Sequence, residues 1–231
     1  METTLHRQLK TLYSETPDQL EQKLGSYRID VVNQQQLIEI QHSSLSAIRD
    51  KVQDLVASHS LKVVKPLILK KRIVRLNRKG GSVVSRRWSP KKGDILDIFD
   101  ELMYLRQVFP NPNLVIDIPT VSIEEWRYQG NGRKQRRSAD NYQLQDQLLL
   151  EVHQTLRIAE PADLLALLAP FELSRFDTAQ LAKYLDIPRW RAQKIAYTLT
   201  HCGVLRKVDK QGNAFLYQVV RKVANAAARA A

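Results

Sequence analysis

Asp30 and Glu39 stand nine residues apart, each inside a short apolar run: Tyr27-Arg-Ile-Asp-Val-Val and Leu37-Ile-Glu-Ile-Gln. The aliphatic neighbours on either side predict that both acids lie on strands. A carboxylate among such residues is costly to desolvate unless a cation or a donor meets it. Two of them on adjacent strands are suited to share one divalent ion. The chain around them carries a formal net charge of +12. A two-carboxylate metal site in a strongly basic protein points to chemistry on a phosphodiester.

The flanking pattern predicts the elements that must position this pair. Leu5, Leu9, Leu12 and Tyr13 have helical spacing over residues 2–13, with Thr3 or Thr4 as cap. Pro17 is expected to open a second short helix ending near Gly25. Strands at 27–33 and 36–41 follow, joined by a polar hairpin at Asn33-Gln34-Gln35. Residues 45–58 present one apolar stripe, Leu45, Ile48, Val52, Leu55 and Val56. Then come a strand at 61–69, a hairpin of 71–77 with 82–88 across Lys79-Gly80-Gly81, a helix from Asp94 to about 107 and a strand at 114–121. This order predicts a mixed α/β core with a helix crossing one face of the sheet. Residues 129–139 are polar, basic and glycine-bearing, and read as a loop or arm. Beyond them the pattern turns helical. The expected domains are therefore 1–139 and 140–223, followed by an alanine-rich tail at 224–231.

The Asp30, Glu39-Ile-Gln41 pattern, in this order of elements, resembles the PD-(D/E)XK nuclease superfamily over roughly residues 1–70. The resemblance implies a restriction-endonuclease-like mixed sheet core flanked by helices. It matches Asp30 and Glu39 to the conserved acids of that motif, and Glu2 to the helical acid. Gln41 stands where the family usually has Lys. Glu39 and Gln41 share a strand face. Asp30, Glu39 and the Ile40 carbonyl offer hard oxygens to Mg²⁺ or Mn²⁺. Gln41 can orient water but brings no charge. Lys51 on the following helix is the candidate charge stabiliser, with Lys62 and Lys65 as further candidates. His6, one turn after Glu2, is placed to face the same cleft.

Basic residues gather in two acid-free runs. Lys62 to Lys92 holds twelve of them, including Arg72, Arg75, Arg78, Lys79, Arg86, Arg87 and Lys91. The arm adds Arg127, Arg133, Lys134, Arg136 and Arg137. Such runs favour phosphate contact. Trp88 is a candidate for base stacking, or for packing beneath the sheet.

Residues 161–220 resemble a winged-helix domain. The first helix carries Leu164 and Leu165, Asp177 or Thr178 caps the second, and Pro188 opens the third. Gly203 stops the third helix, and a hairpin turns at Lys210-Gln-Gly-Asn. In the DNA-binding version of that fold, Arg189, Arg191 and Lys194 would lie at the start of the groove-facing helix. Arg206, Lys207 and Lys210 would lie in the wing.

One cysteine, Cys202, leaves no internal disulfide or cysteine-rich zinc site. No apolar run has the length of a membrane span and no signal pattern opens the chain, so a cytoplasmic setting is expected. The resulting expectation is a Mg²⁺-dependent DNA endonuclease with DNA as partner, and a homodimer where one site per chain is to cut both strands. Its rival is a non-catalytic DNA-binding or regulatory protein on a decayed nuclease core.

Overall fold

The computed structural model describes residues 2–33, 36–130, 142–169 and 172–220. The chain begins with α1 (Thr4–Tyr13), whose cap Thr3 accepts the His6 amide. A single 3-10 turn at Pro17–Gln19 leads into β1 (Leu20–Leu24), β2 (Tyr27–Val32) and β3 (Leu37–Ile40). Residues 20–24, expected to be helical, are thus a strand. Their backbone groups pair antiparallel with β2, from Leu20 opposite Val31 to Leu24 opposite Tyr27. Gly25, at φ +59°, makes the turn between them.

The chain continues through α2 (Arg49–Val56), β4 (Leu61–Val64), β5 (Leu67–Leu76), β6 (Val83–Trp88), α3 (Ile98–Leu102) and β7 (Leu114–Gln129). β8 (Tyr142–Ile158) is followed by α4 (Pro161–Ala166), α5 (Thr178–Tyr184) and α6 (Arg189–His201). The hairpin of β9 (Leu205–Gln211) and β10 (Ala214–Val219) comes last.

Eight strands form one sheet in the order β1-β2-β3-β4-β7-β5-β6, with β8 also pairing with β7. β5 and β7 are parallel and β5 and β6 antiparallel, so the sheet is mixed. The α/β class expected from the element order holds.

The boundary expected near 140 does not separate strands from helices. Residues 142–158 form β8, and the chain divides into two interleaved compact units. The first comprises 1–42, 64–94 and 118–156; the second comprises 43–63, 95–117 and 157–231. β7, a 16-residue strand, pairs with three strands from separate stretches of the chain: β4, β5 and β8.

In the first unit, Leu5 and Leu9 of α1 pack on Val31, Ile38, Ile40, Val64, Val121 and Ile123. α1 is also tied to β8. The Thr4 amide and hydroxyl donate to Asp146 at 2.8 and 2.6 Å, and the Leu149 amide donates to Gln8 Oε1 at 2.8 Å. Burial pushes the Asp146 carboxyl up, but the donors of Thr4 and the Gln147 amide outweigh it and hold the group low.

In the second unit, Asp177 caps α5 in a reciprocal box with Gln180. Gly203, at φ +74°, lies just beyond α6. Phe176 exchanges both backbone hydrogen bonds with Tyr217 of the hairpin.

Candidate functional site

The β2–β3 ladder is short, pairing Val32 with Leu37 and Val31 with Ile38. Asp30 and Glu39 are the next residues of the two strands beyond that ladder. There the Ile40 amide donates to Asp30 Oδ2 at 2.8 Å. A side-chain oxygen thus takes an amide that a backbone carbonyl accepts in a continuing ladder.

The same Oδ2 lies 3.2 Å from His6 Nε2, and Lys10 Nζ lies 3.3 Å from Oδ1. Burial pushes the Asp30 carboxyl up. The hydrogen bonds from His6 and the Ile40 amide, with the charges of His6 and Lys10, outweigh burial and hold it below the usual carboxylate range.

Lys10 is only 6% exposed. Its ammonium contacts Glu2 Oε1 at 2.7 Å, Glu21 Oε1 and Asp30 Oδ1. Three carboxylates around one ammonium offset the cost of burying it. The Lys10 hydrogen bond, more than any other influence, holds the Glu2 carboxyl low. Glu2, His6 and Lys10 recur every four residues, so they follow one line along the helical stretch. Leu5 and Leu9 hold the same segment on the sheet. Glu21 has φ +57°, a left-handed backbone that costs about 1 kcal/mol for a residue with a Cβ. It receives Arg28 Nε at 2.5 Å as well as Lys10. The His42 ring lies 5.7 Å from that of His6. Its pKa is lowered by burial first, then by the charges of His6 and Lys65.

Of the residues expected to do chemistry, the structure gathers Glu2, His6 and Asp30. Glu39, 4% exposed, alternates with Ile38 and Ile40, which face α1. Gln41 shares the strand face of Glu39, and its amide donates to the Val64 carbonyl. Lys51 lies on α2, in the second unit. Lys62 pairs with Asp117 at 3.1 Å, also in that unit. Lys65 Nζ donates to the His42 carbonyl at 3.2 Å. The lysine at Asp30 is therefore Lys10, which the sequence reading did not single out. Its signal was there: a lysine two turns after Glu2 and one after His6. Among the described residues, no three His, Cys, Asp or Glu side chains are grouped to hold a metal ion.

The run from Lys62 to Lys92 is acid-free in sequence but not in space. Parallel pairing of β5 with β7 sets Arg72 opposite Glu124 and Ile73 opposite Glu125. Arg72 and Arg86 reach Glu124 at 2.8 and 3.3 Å. Lys71 reaches Glu125 at 2.6 Å, and Arg127 bonds the same carboxylate. Burial pushes the Glu125 carboxyl up, but Lys71 and Arg127 together hold it low. Arg75 lies 5.0 Å from the Tyr142 ring centroid. Arg75, Arg78, Lys79, Arg86, Arg87 and Lys91 are all exposed. Arg133, Lys134, Arg136 and Arg137 lie outside the described residues.

On α6, Arg191 pairs with Asp97 at 2.7 Å and Lys194 with Asp100 at 2.9 Å, while Arg189 is exposed. In the same unit, Arg175, Arg206, Lys207, Val208 and Gln218 line a cavity of about 560 Å³ beside the hairpin.

A protein of Treponema pallidum (strain Nichols), described as an uncharacterized protein, is 30% identical over 152 residues. That alignment covers 65% of this chain and 59% of the relative, so the chain spans less than two thirds of that protein's length. No solved structure matches. Residues 3–159 match the family described as a domain of unknown function (DUF8091), from the cap of α1 to the end of β8. With over half of its length inside that match, the chain belongs to the DUF8091 family.

Proposed function

We propose that the protein is a metal-dependent DNA endonuclease whose catalytic acids are Asp30 and Glu39. One observation carries the reading. Asp30 and Glu39 lie on neighbouring antiparallel strands just beyond their last ladder pair, Val31 with Ile38, and α1 supplies an ammonium to Asp30. This is the charge that Gln41 lacks. Lys10 takes the stabilising role that the sequence reading gave to Lys51.

The donor chemistry suits a divalent ion. Asp30, Glu39 and the Ile40 carbonyl are hard oxygens. The acids Glu2, Glu21 and Asp30 already collect around one positive charge, that of Lys10. Asp30, Glu39 and Ile40 would hold Mg²⁺ or Mn²⁺, which when bound acidifies water and neutralises phosphate charge. Gln41 would hydrogen-bond the attacking water. Lys10 would offset negative charge on the phosphate, and His6 would orient the Asp30 carboxylate. Arg75, Arg78, Lys79, Arg87 and Lys91 provide exposed cations for the DNA backbone. The three C-terminal helices with their hairpin are read as a winged helix, with Arg189, Arg206 and Lys207 on DNA.

A specific observation favours a second reading, a DNA-binding protein without cleavage. Both oxygens of Asp30 already have partners in Ile40, His6 and Lys10. Plasmid nicking with Mg²⁺ or Mn²⁺ separates the two. The endonuclease reading expects nicking that disappears in Asp30→Ala and Glu39→Ala, with circular dichroism showing both variants folded. Tight DNA binding without nicking by the wild type would establish the second reading. Nicking that persists in both variants would sink the first.

A further inference from the structure

On the sheet face away from α1, Lys70, Trp88, Ser89, Lys92, Ser122 and Glu151 line a cavity of about 410 Å³. Val121 and Ile123 belong to the core beneath α1, so Ser122 between them points to the opposite face.

One wall of the cavity is fixed by backbone bonds. The Ser89 amide donates to the Lys71 carbonyl at 2.8 Å, and the Gly93 amide to the Leu69 carbonyl at 3.0 Å. The β5–β7 register shifts between Ile68 and Lys70, a bulge in the strand. Gly93 packs so closely on that bulge that a Cβ there would lie 2.1 Å from the Ile68 carbonyl oxygen.

The opposite side is polar. Ser122, 3% exposed, has its hydroxyl 2.8 Å from His153 Nε2. Glu151 Oε1 lies 3.4 Å from His153 Nδ1. Serine, histidine and acid in that order invite comparison with an acyl-transfer relay. Ser122, however, sits mid-strand in register with Lys70, and its backbone belongs to the sheet ladder rather than to an oxyanion-binding turn. The His153 ring, held at both nitrogens, instead orients the Ser122 hydroxyl and the Glu151 carboxylate that line the cavity.

The remaining wall is an indole and two ammonium groups. Trp88 is 51% exposed, and the Arg72 guanidinium lies 5.6 Å from its ring centroid. An aromatic ligand bearing negative charge matches both features at once. Lys70 and Lys92 outweigh the single carboxylate of Glu151 in the lining, so an anionic ligand is favoured over a cationic or a plain apolar one.

We infer that this cavity is a nucleotide site: the base stacks on Trp88, its phosphate lies between Lys70 and Lys92, and the Glu151 carboxylate accepts from the amino edge of the base. The nucleotide is either a free mononucleotide or one unit of a single strand. Neither source depends on cleavage at Asp30.

The test uses the full chain in EDTA, so that cleavage plays no part. Deoxyadenosine monophosphate is titrated by calorimetry, and a labelled deoxyadenosine decamer by fluorescence anisotropy. Trp88→Ala is expected to weaken binding roughly tenfold, and Trp88→Phe to retain most of it. The double variant Lys70→Ala, Lys92→Ala is expected to flatten the dependence of log affinity on log salt by about 1.4. All three side chains are partly or fully exposed, and an unchanged melting temperature verifies the fold. A decamer bound far more tightly than the monophosphate identifies a single-strand site; equal affinity identifies a free-nucleotide site. The inference is overturned if neither ligand binds, or if Trp88→Ala and the double-lysine variant bind as the wild type does.

Discussion

Two carboxylate centres of the first unit solve the same problem in different ways. On β7, Glu124 and Glu125 are ringed by Arg72, Arg86, Lys71 and Arg127, and the strand around them stays fully paired with β5. At Asp30 the side-chain partners, His6 and Lys10, come from a helix, and the carboxylate itself takes a backbone amide where the ladder ends. The β7 centre is a neutralising rung: cross-strand neighbours cancel charge within a regular lattice. The Asp30 centre interrupts the lattice, and an acid held at such a break can exchange its partners without unzipping a sheet.

The sharpest way to break this contrast is to remove an acid from the regular centre. Glu125→Ala leaves Lys71 and Arg127 without their shared counter-charge. It should lower unfolding free energy by about 3 kcal/mol in urea melts, with no response to divalent ions. A loss below 1 kcal/mol would mean the two cations reach water at little cost.

Lys10→Ala comes next. It leaves Glu2, Glu21 and Asp30 facing one another, and should cost about 2 kcal/mol. Here millimolar Mn²⁺ should restore part of the loss, as expected of a ligand that binds only the folded state. Adding Asp30→Asn should abolish that rescue. If Mn²⁺ stabilises neither variant, the Asp30 centre is as structural as the one on β7.

Acid titration gives a smaller effect. Asp30, Glu125 and Asp146 all have depressed pKa values. Each contributes stability that is present above the unfolded value, about 4, and is lost as pH falls through the folded one. His42 is depressed too, so its contribution already fades below about pH 6.5. Melting temperature should therefore decline in two stages. His42→Gln should remove the upper stage, and Asp30→Asn should shrink the lower one. A single decline, unchanged in His42→Gln, would show that the His42 ring does not sense folding.

The smallest change concerns Cys202, buried at the end of α6, where burial pushes its thiol up to about 12. A thiol-reactive dye should label it only on unfolding. Native labelling would show that this part of the chain opens.

What the sequence made legible was local. Apolar neighbours on both sides of Asp30 and Glu39 predicted β2 and β3, and Gly203 and Asp177 marked real helix ends. Residues 20–24 misled because Pro17 does begin a helical turn, but one that lasts only three residues before pairing with β2 takes over. Residues 142–158 fall within the stretch expected to turn helical; tertiary pairing with β7 makes them a strand instead. The acids that neutralise the basic hairpin lie about fifty residues downstream, brought in by a parallel pairing with no local signature. Lys10 was hidden for another reason. A lysine beside Leu9 ordinarily marks the wet edge of an amphipathic helix, and nothing local says that three carboxylates await it.

The Thr4–Asp146 clasp gives the first helix a peculiar schedule. Its anchoring carboxylate is synthesised 142 residues later, roughly ten seconds or more of translation at ordinary rates. Until that strand emerges from the ribosome, α1 lacks this clasp, although the acids around Lys10 and the β2 and β3 side chains beneath Leu5 and Leu9 are already made. The residues around Asp30 are thus made first, and the clasp that ties their helix to β8 is added late.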